Sequence, residues 1–294
     1  MRKQKSLWFA LLVMFFWGSL FPMVKLGYSA FQITGTGSIL YFAGVRFTIC
    51  GGLICIFSLI RGRDSFAPVK SCIVPILLSG LFAIILHYGF TYSGLLLTDS
   101  SKTAILKQIG ALFYVCFSAL FFKEDRLTAR KLMGALLGFA GILAINISSG
   151  GISFQIGDVL IIAASFCTVF SNVISKKVFQ KVDPITATGC SQLFGGLVLL
   201  LIGKCLGGTM TVAFDSSLWI MVYICFASIM GYCIWFTIVK DGQLSRLFII
   251  KFAEPVIASI CGAVLLGEDI FKVQYLAAFV LIALGIWVSQ TERK

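Results

Sequence analysis

Charge is what this chain has least of. Asp, Glu, Lys and Arg together make up 12% of its 294 residues against 59% hydrophobic residues, and the mean hydropathy is +1.00. A soluble core inside a polar shell cannot be built from that composition, so the chain is an integral membrane protein. Histidine is reduced to His87 alone, which removes the histidine clusters of zinc and iron sites. The ten cysteines contain no Cys-x-x-Cys pair, and most lie inside apolar runs, where they act as small apolar side chains. Disulfide and metal readings therefore both fail on spacing. No phosphate-cradling glycine loop is present either. The expectation is a protein without metal, cofactor or catalytic residues, driven by a gradient and not an enzyme.

What the chain does have is length in its apolar runs. Ten stretches can be drawn: Leu7 to Leu26, Gly37 to Ile60, Ile73 to Leu95, Ser100 to Phe122, Ala129 to Ile147, Val159 to Val178, Ile185 to Leu206, Leu218 to Val239, Leu244 to Leu266 and Lys272 to Ser289. Each approaches the ~20 residues that cross ~30 Å of hydrocarbon as a helix. Strands of a transmembrane barrel would instead alternate over ~10 residues. The basic front of the first stretch resembles a signal peptide, but the run is too long and lacks a cleavage site, so it reads as a retained first helix.

The two halves are copies. At a constant shift of 144 positions Lys107 falls on Lys251, Glu124 on Glu268, Tyr88 on Tyr232, Lys102 on Arg246, and Gly51-Gly52-Leu53 on Gly195-Gly196-Leu197. Five spans per half is an odd number, so the second copy must enter the membrane from the opposite side. The expected fold is all-α, with ten transmembrane helices as two inverted five-helix repeats at 1–148 and 149–294, the architecture of carriers whose site lies between the repeats.

The net charge of +12 is a topology signal. Seventeen Lys and Arg fall in the tails and alternate connections, while the opposite connections and helix ends hold Lys25, Lys102, Lys204 and Lys272. That asymmetry places both termini in the cytoplasm and argues against a nucleic-acid partner. Attraction to anionic membrane lipid is a secondary effect. Gly134, Gly138 and Gly141 line one stripe of span five, with Ala278, Ile282 and Gly285 at the matching places of span ten. Such stripes allow close helix packing, either within the chain or across a homodimer.

These residues resemble the EamA-type transporters of the drug/metabolite transporter superfamily. Trp17-Gly18-Ser19 is similar to that family's aromatic-glycine signature and Val45-Arg46-Phe47 to its Arg-Phe pair; Glu124 and Glu268 match its helix-closing glutamates, and Ala253-Glu254-Pro255-Val256 its proline in span nine. The resemblance implies secondary transport across the inner or plasma membrane and a structural role for Arg46. One departure is Ala111, which stands where the proline's repeat mate is expected, so span four is expected to lack the kink that Pro255 gives span nine. Pro22 is a second candidate bend, in span one.

Charges at membrane depth cost ~2.5 to 3.5 kcal/mol each, so Arg46, Lys107, Lys251 and Glu254 are functional candidates. Lys251 can pair locally with Glu254 three residues on; Lys107 has no acid within a turn. Their summed charge of +2 favours an anionic group of a substrate. Trp17, Tyr88, Tyr232 and Trp235 are candidates for the walls of the cavity, and His87 for a proton relay. The reading is a carrier of a small organic metabolite, an amino acid or other carboxylate, anionic or zwitterionic, by alternating access. The alternatives are an exporter of cationic or aromatic drug-like compounds, using Glu254 and aromatic faces, and a membrane-embedded enzyme or lipid scramblase.

Overall fold

The computed structural model describes residues 3–95, 97, 103, 106–146, 155–211, 217–267 and 273–291. Among them the secondary structure is entirely helical. The helices are α1 (Lys3–Ala30), α2 (Gly35–Arg61), α3 (Ile73–Gly80), α4 (His87–Leu95), α5 (Ile109–Phe121), α6 (Ala129–Asn146), α7 (Ile156–Val178), α8 (Pro184–Cys205), α9 (Ser217–Asp241), α10 (Leu244–Ile250), α11 (Ala253–Leu266) and α12 (Val273–Gln290). A 3-10 segment, Arg63–Cys72, leads into α3, and a π segment, Leu81–Leu86, joins α3 to α4. Eight helical runs are long and apolar enough to cross a membrane. Of the two other expected spans, α5 has 13 described residues and α6 has 18. Glu268 and Lys102, used to set the repeat, lie outside the described residues, as does Ser149 at the junction.

Local chemistry starts the helices where expected. Asp183 caps α8 by accepting from Ile185 N and Thr186 N, each at 3.1 Å, with Pro184 in the first turn, where its missing N–H is harmless. Gln155 and Asp158 form a reciprocal capping box on α7.

Packing interlocks the halves. α2 lies along α8 and α6 along α12, each helix beside its own repeat mate, while α1 packs on α9 and α11 as α7 packs on α4 and α5. Close approach is set by glycine: a methyl on Gly134 would meet the Gly285 carbonyl at 2.6 Å, and one on Gly285 the Gly134 carbonyl at the same distance. The small-residue stripe of α6 is thus consumed by α12 and the Phe252 ring, within the chain.

One end of the bundle collects the basic connections. Arg61 reaches Asp183 at 3.9 Å, Arg130 donates to Thr291 O at 3.0 Å, Lys176 donates to Gly242 O, and Asp125 binds the start of α10. At the other end Thr211 N donates to Phe31 O at 3.1 Å and Thr209 N to Ser38 Oγ at 3.1 Å. The charge asymmetry of the sequence is an asymmetry between the two ends.

Candidate substrate site

Both lysines stand where a helix is interrupted. Pro255 has no N–H to give the Lys251 carbonyl, which instead accepts from Glu254 N at 3.0 Å; Phe252 N turns to Ile249 O at 3.2 Å. The run therefore splits into α10 and α11 with Lys251–Phe252 as a turn. In the first half the expectation of an unbroken helix is wrong. Lys107–Gln108 is also a turn, and α5 begins at Ile109. No proline is needed, because Ser165 Oγ on α7 accepts from Gly110 N at 3.1 Å and takes the place of a carbonyl in the helical ladder. α1, by contrast, continues through Pro22.

The breaks bring the lysines to one stripe of α1. Lys251 Nζ lies 5.2 Å from the centre of the Trp17 ring and Lys107 Nζ 5.4 Å from that of Phe21, and Trp17 and Phe21 are one turn apart. Trp235 and Phe248 complete the aromatic surround of Lys251, at 5.7 and 5.8 Å. Among the described residues neither ammonium group has a hydrogen bond or a carboxylate within ion-pairing distance. The local Lys251–Glu254 pair does not form, although Glu254 is within electrostatic range of both lysines. Lys107, Lys251, Glu254, His87, Trp17, Tyr88 and Tyr232 are all half-buried, the exposure expected of side chains that line a cleft.

Trp235 differs. It is 1% exposed, and its indole N–H donates to Asn172 Oδ1 at 2.7 Å, so it offers the cleft one ring face. Trp17 packs against Trp235 and Tyr232 at 5.2 and 5.4 Å. Among the described residues its own indole N–H has no partner; it lies over Gly231, where a methyl would come within 2.5 Å. The repeat mate of Gly231 is His87, so the two halves diverge at this level of the cleft. Tyr88 and Tyr232 share Phe47, at 4.9 and 6.1 Å.

His87 follows the π segment, a distortion common at functional sites. Its Nδ1 lies 3.1 Å from the Ala164 carbonyl and 3.1 Å from Thr168 Oγ1. A carbonyl can only accept, so Nδ1 carries the proton and Nε2 is left as an acceptor. Arg46 borders this group: it is 4% exposed, donates from Nε to Ser228 Oγ at 2.9 Å and lies over Phe47, the ring that Tyr88 and Tyr232 share, tying α2 to α9.

The sequence reading did not single out Phe21, Phe248, Asn172, Thr168 or Ser165. A signal existed for some of them. Phe21 is one turn from Trp17, and Ser165, Thr168 and Asn172 form a polar stripe at helical spacing in an otherwise apolar span.

A family model described as the EamA-like transporter family matches residues 4–147 and again 155–291. An uncharacterized transporter of Archaeoglobus fulgidus is 25% identical over 95% of this chain and 96% of its own. The uncharacterized inner membrane transporter YedA of Escherichia coli is 27% identical over 92% and 87%. A protein of Salmonella typhimurium named as a probable amino-acid metabolite efflux pump is 26% identical over 97% and 95%. A crystal structure superposes with a TM-score of 0.79 at 21% identity, covering 97% of this chain and 96% of that one, which is a likeness of fold.

Proposed function

The chain belongs to the EamA-like transporter family, and we propose that it carries a small organic metabolite bearing a carboxylate or other anionic group, an amino acid foremost, by alternating access. The observation that carries this reading is the pair of mated lysines at mated helix interruptions, both facing one stripe of α1 and both without an acceptor among the described residues. Discontinuous helices are where carriers of inverted-repeat architecture bind their substrates. Two ammonium groups held on aromatic faces are stabilised by the ring quadrupoles, and a carboxylate placed between them adds the charge-assisted bonds they lack.

The wider picture is ten spans in two inverted five-helix repeats, with the end that gathers the basic connections in the cytoplasm of a cell whose inner or plasma membrane holds the protein. The family and its relatives are named as transporters rather than enzymes, in keeping with a chain that moves its substrate unaltered. The efflux pump named in Salmonella typhimurium supports an amino-acid metabolite as the cargo. Export of cationic aromatic compounds is the second reading, favoured by the uncommitted Glu254 carboxylate and the ring faces. Two unneutralised lysines at the same level oppose it.

Uptake into proteoliposomes tests the clamp. Losing one charge-assisted contact costs about 1.5 to 3 kcal/mol, so Lys107→Gln and Lys251→Gln are expected to weaken the apparent affinity for an anionic substrate roughly ten- to hundredfold. Folded variants that transport it with unaltered affinity sink the clamp and make the lysines structural.

A further inference from the structure

Arg46 carries a charge that the fold leaves open. It sits within α2, 4% exposed, and its Nε–H donates to Ser228 Oγ at 2.9 Å. One N–H of the five on a guanidinium is thereby used. Among the described residues no carboxylate comes within ion-pairing distance of it, and its two terminal nitrogens have no acceptor. Those nitrogens are not sealed off, so the accessible part of Arg46 includes them. A tie between α2 and α9 does not by itself need a charge, because apolar side chains of similar volume hold two helices as well. A guanidinium kept at membrane depth without a counter-charge is by default a functional group.

Phenols surround it. Tyr28 of α1, Tyr88 and Tyr92 of α4 and Tyr232 of α9 lie within electrostatic range of Arg46, and all four are half-buried. A phenol is neutral at physiological pH, so it leaves the positive charge unopposed while offering a hydroxyl that donates to an anion. Tyr88 and Tyr232 also reach the lysines. Tyr232 rests on Trp17 at 5.4 Å, the ring that carries Lys251, and Tyr88 on His87 at 5.1 Å. His87 is within electrostatic range of Lys107 and Lys251, and Tyr232 of Arg46 and Glu254 alike. The two tyrosines thus border both the arginine and the lysines.

We infer that Arg46 and the tyrosines beside it form a second anion station of the cleft, and that the substrate is a small molecule with two carboxylates. One carboxylate lies between Lys107 and Lys251. The other takes the terminal nitrogens of Arg46, whose planar fork matches a pair of carboxylate oxygens, and the carbons between them lie along Tyr88 and Tyr232. Charge balance favours the same occupant. Arg46, Lys107 and Lys251 against Glu254 leave a surplus of two positive charges, which two carboxylates cancel and one does not. The inference rests on the reading of the chain as a carrier of carboxylate-bearing metabolites, and it narrows that class to diacids.

Ligand-induced thermal shift of the full-length protein in detergent reads affinity without transport. The probes are succinate, glutarate and glutamate, each set against its half-amide (succinamate, glutaramate and glutamine), so that the members of a pair differ by one charged group. At least one diacid is expected to bind the parent about tenfold or more tightly than its half-amide, as befits one charge-assisted contact. In Arg46→Gln, confirmed folded by gel filtration, that preference should vanish while binding of the half-amide remains; Lys107→Gln should weaken both members of the pair. If Arg46→Gln does not fold, the parent answers instead. Reaction of Arg46 with phenylglyoxal, followed by mass spectrometry of its peptide, should slow about tenfold with the preferred diacid and not with its half-amide. Equal binding within every pair, a preference that survives Arg46→Gln, or a bound diacid that leaves Arg46 as reactive as before overturns the second station and leaves the lysine clamp standing. Binding of neither diacids nor half-amides overturns the station together with the carboxylate reading on which it rests.

Discussion

Asp125 shows how much one residue can hold together. Its side chain is 1% exposed, and it accepts from Lys131 Nζ at 2.7 Å, from Ser245 N at 2.9 Å and Oγ at 2.5 Å, and from the Tyr114 hydroxyl at 3.2 Å. One carboxylate therefore joins the middle of α5, the start of α6 and the start of α10. Burial pushes this carboxyl up, but the hydrogen bonds from Lys131 and Ser245 outweigh it and hold it below its ordinary value. A folded value below the unfolded one means that the stabilisation is complete above the ordinary carboxylate range and is lost as pH falls through the folded value. Thermal melting in detergent should accordingly fall off below about pH 4. Asp125→Ala, which leaves Lys131 buried and uncompensated, should cost about 3 to 5 kcal/mol, and Asp125→Leu combined with Lys131→Met should recover most of it. A single variant as stable as the parent would show that the node is dispensable.

At the scale of elements, the two interrupted helices have different causes, and their responses should differ. In the second half the break is written in the chain, because Pro255 removes a donor. Pro255→Ala should let α10 and α11 approach one helix and change the transport rate more than the yield of folded protein; unchanged kinetics in a well-expressed variant would show that the bend is not used. In the first half the break depends on a partner helix. Ser165→Ala strips the Gly110 N–H of its acceptor, and a buried unpaired donor costs about 1 to 3 kcal/mol, to be read as a lower melting temperature together with altered uptake. If the stability stays within error of the parent, Ser165 does not sustain the turn at Lys107–Gln108.

For the whole molecule, the segregation of charge is the feature that sets direction. Basic connections gather at one end through Arg61–Asp183, Arg130–Thr291 and Asp125–Ser245, and lysine and arginine are retained on the cytoplasmic side. A cysteine at position 149, which lies between the halves and outside the described residues, is expected to react with an impermeant thiol reagent applied to intact cells. Reaction only after permeabilisation would invert the orientation.

The sequence by itself determined that this is a membrane protein, that it carries a duplication, and which two lysines deserve notice, because each follows from local quantities: apolar run length, a constant shift of 144, and the expense of charge at depth. It also announced the break at Pro255, whose chemistry is covalent. Only the tertiary structure decided that Lys107 and Lys251 share one stripe of α1, since that depends on α1 packing against α9 and α11 of the other half. It likewise decided that Ala111 does not keep span four straight, because the acceptor that replaces the ladder is on α7. His87 is the plainest case: a sequence does not say which imidazole nitrogen carries the proton, and the Ala164 carbonyl at 3.1 Å assigns it to Nδ1. Contacts between residues far apart in the chain leave no periodic trace in it, which is why eight of the ten expected spans were legible and the partners were not.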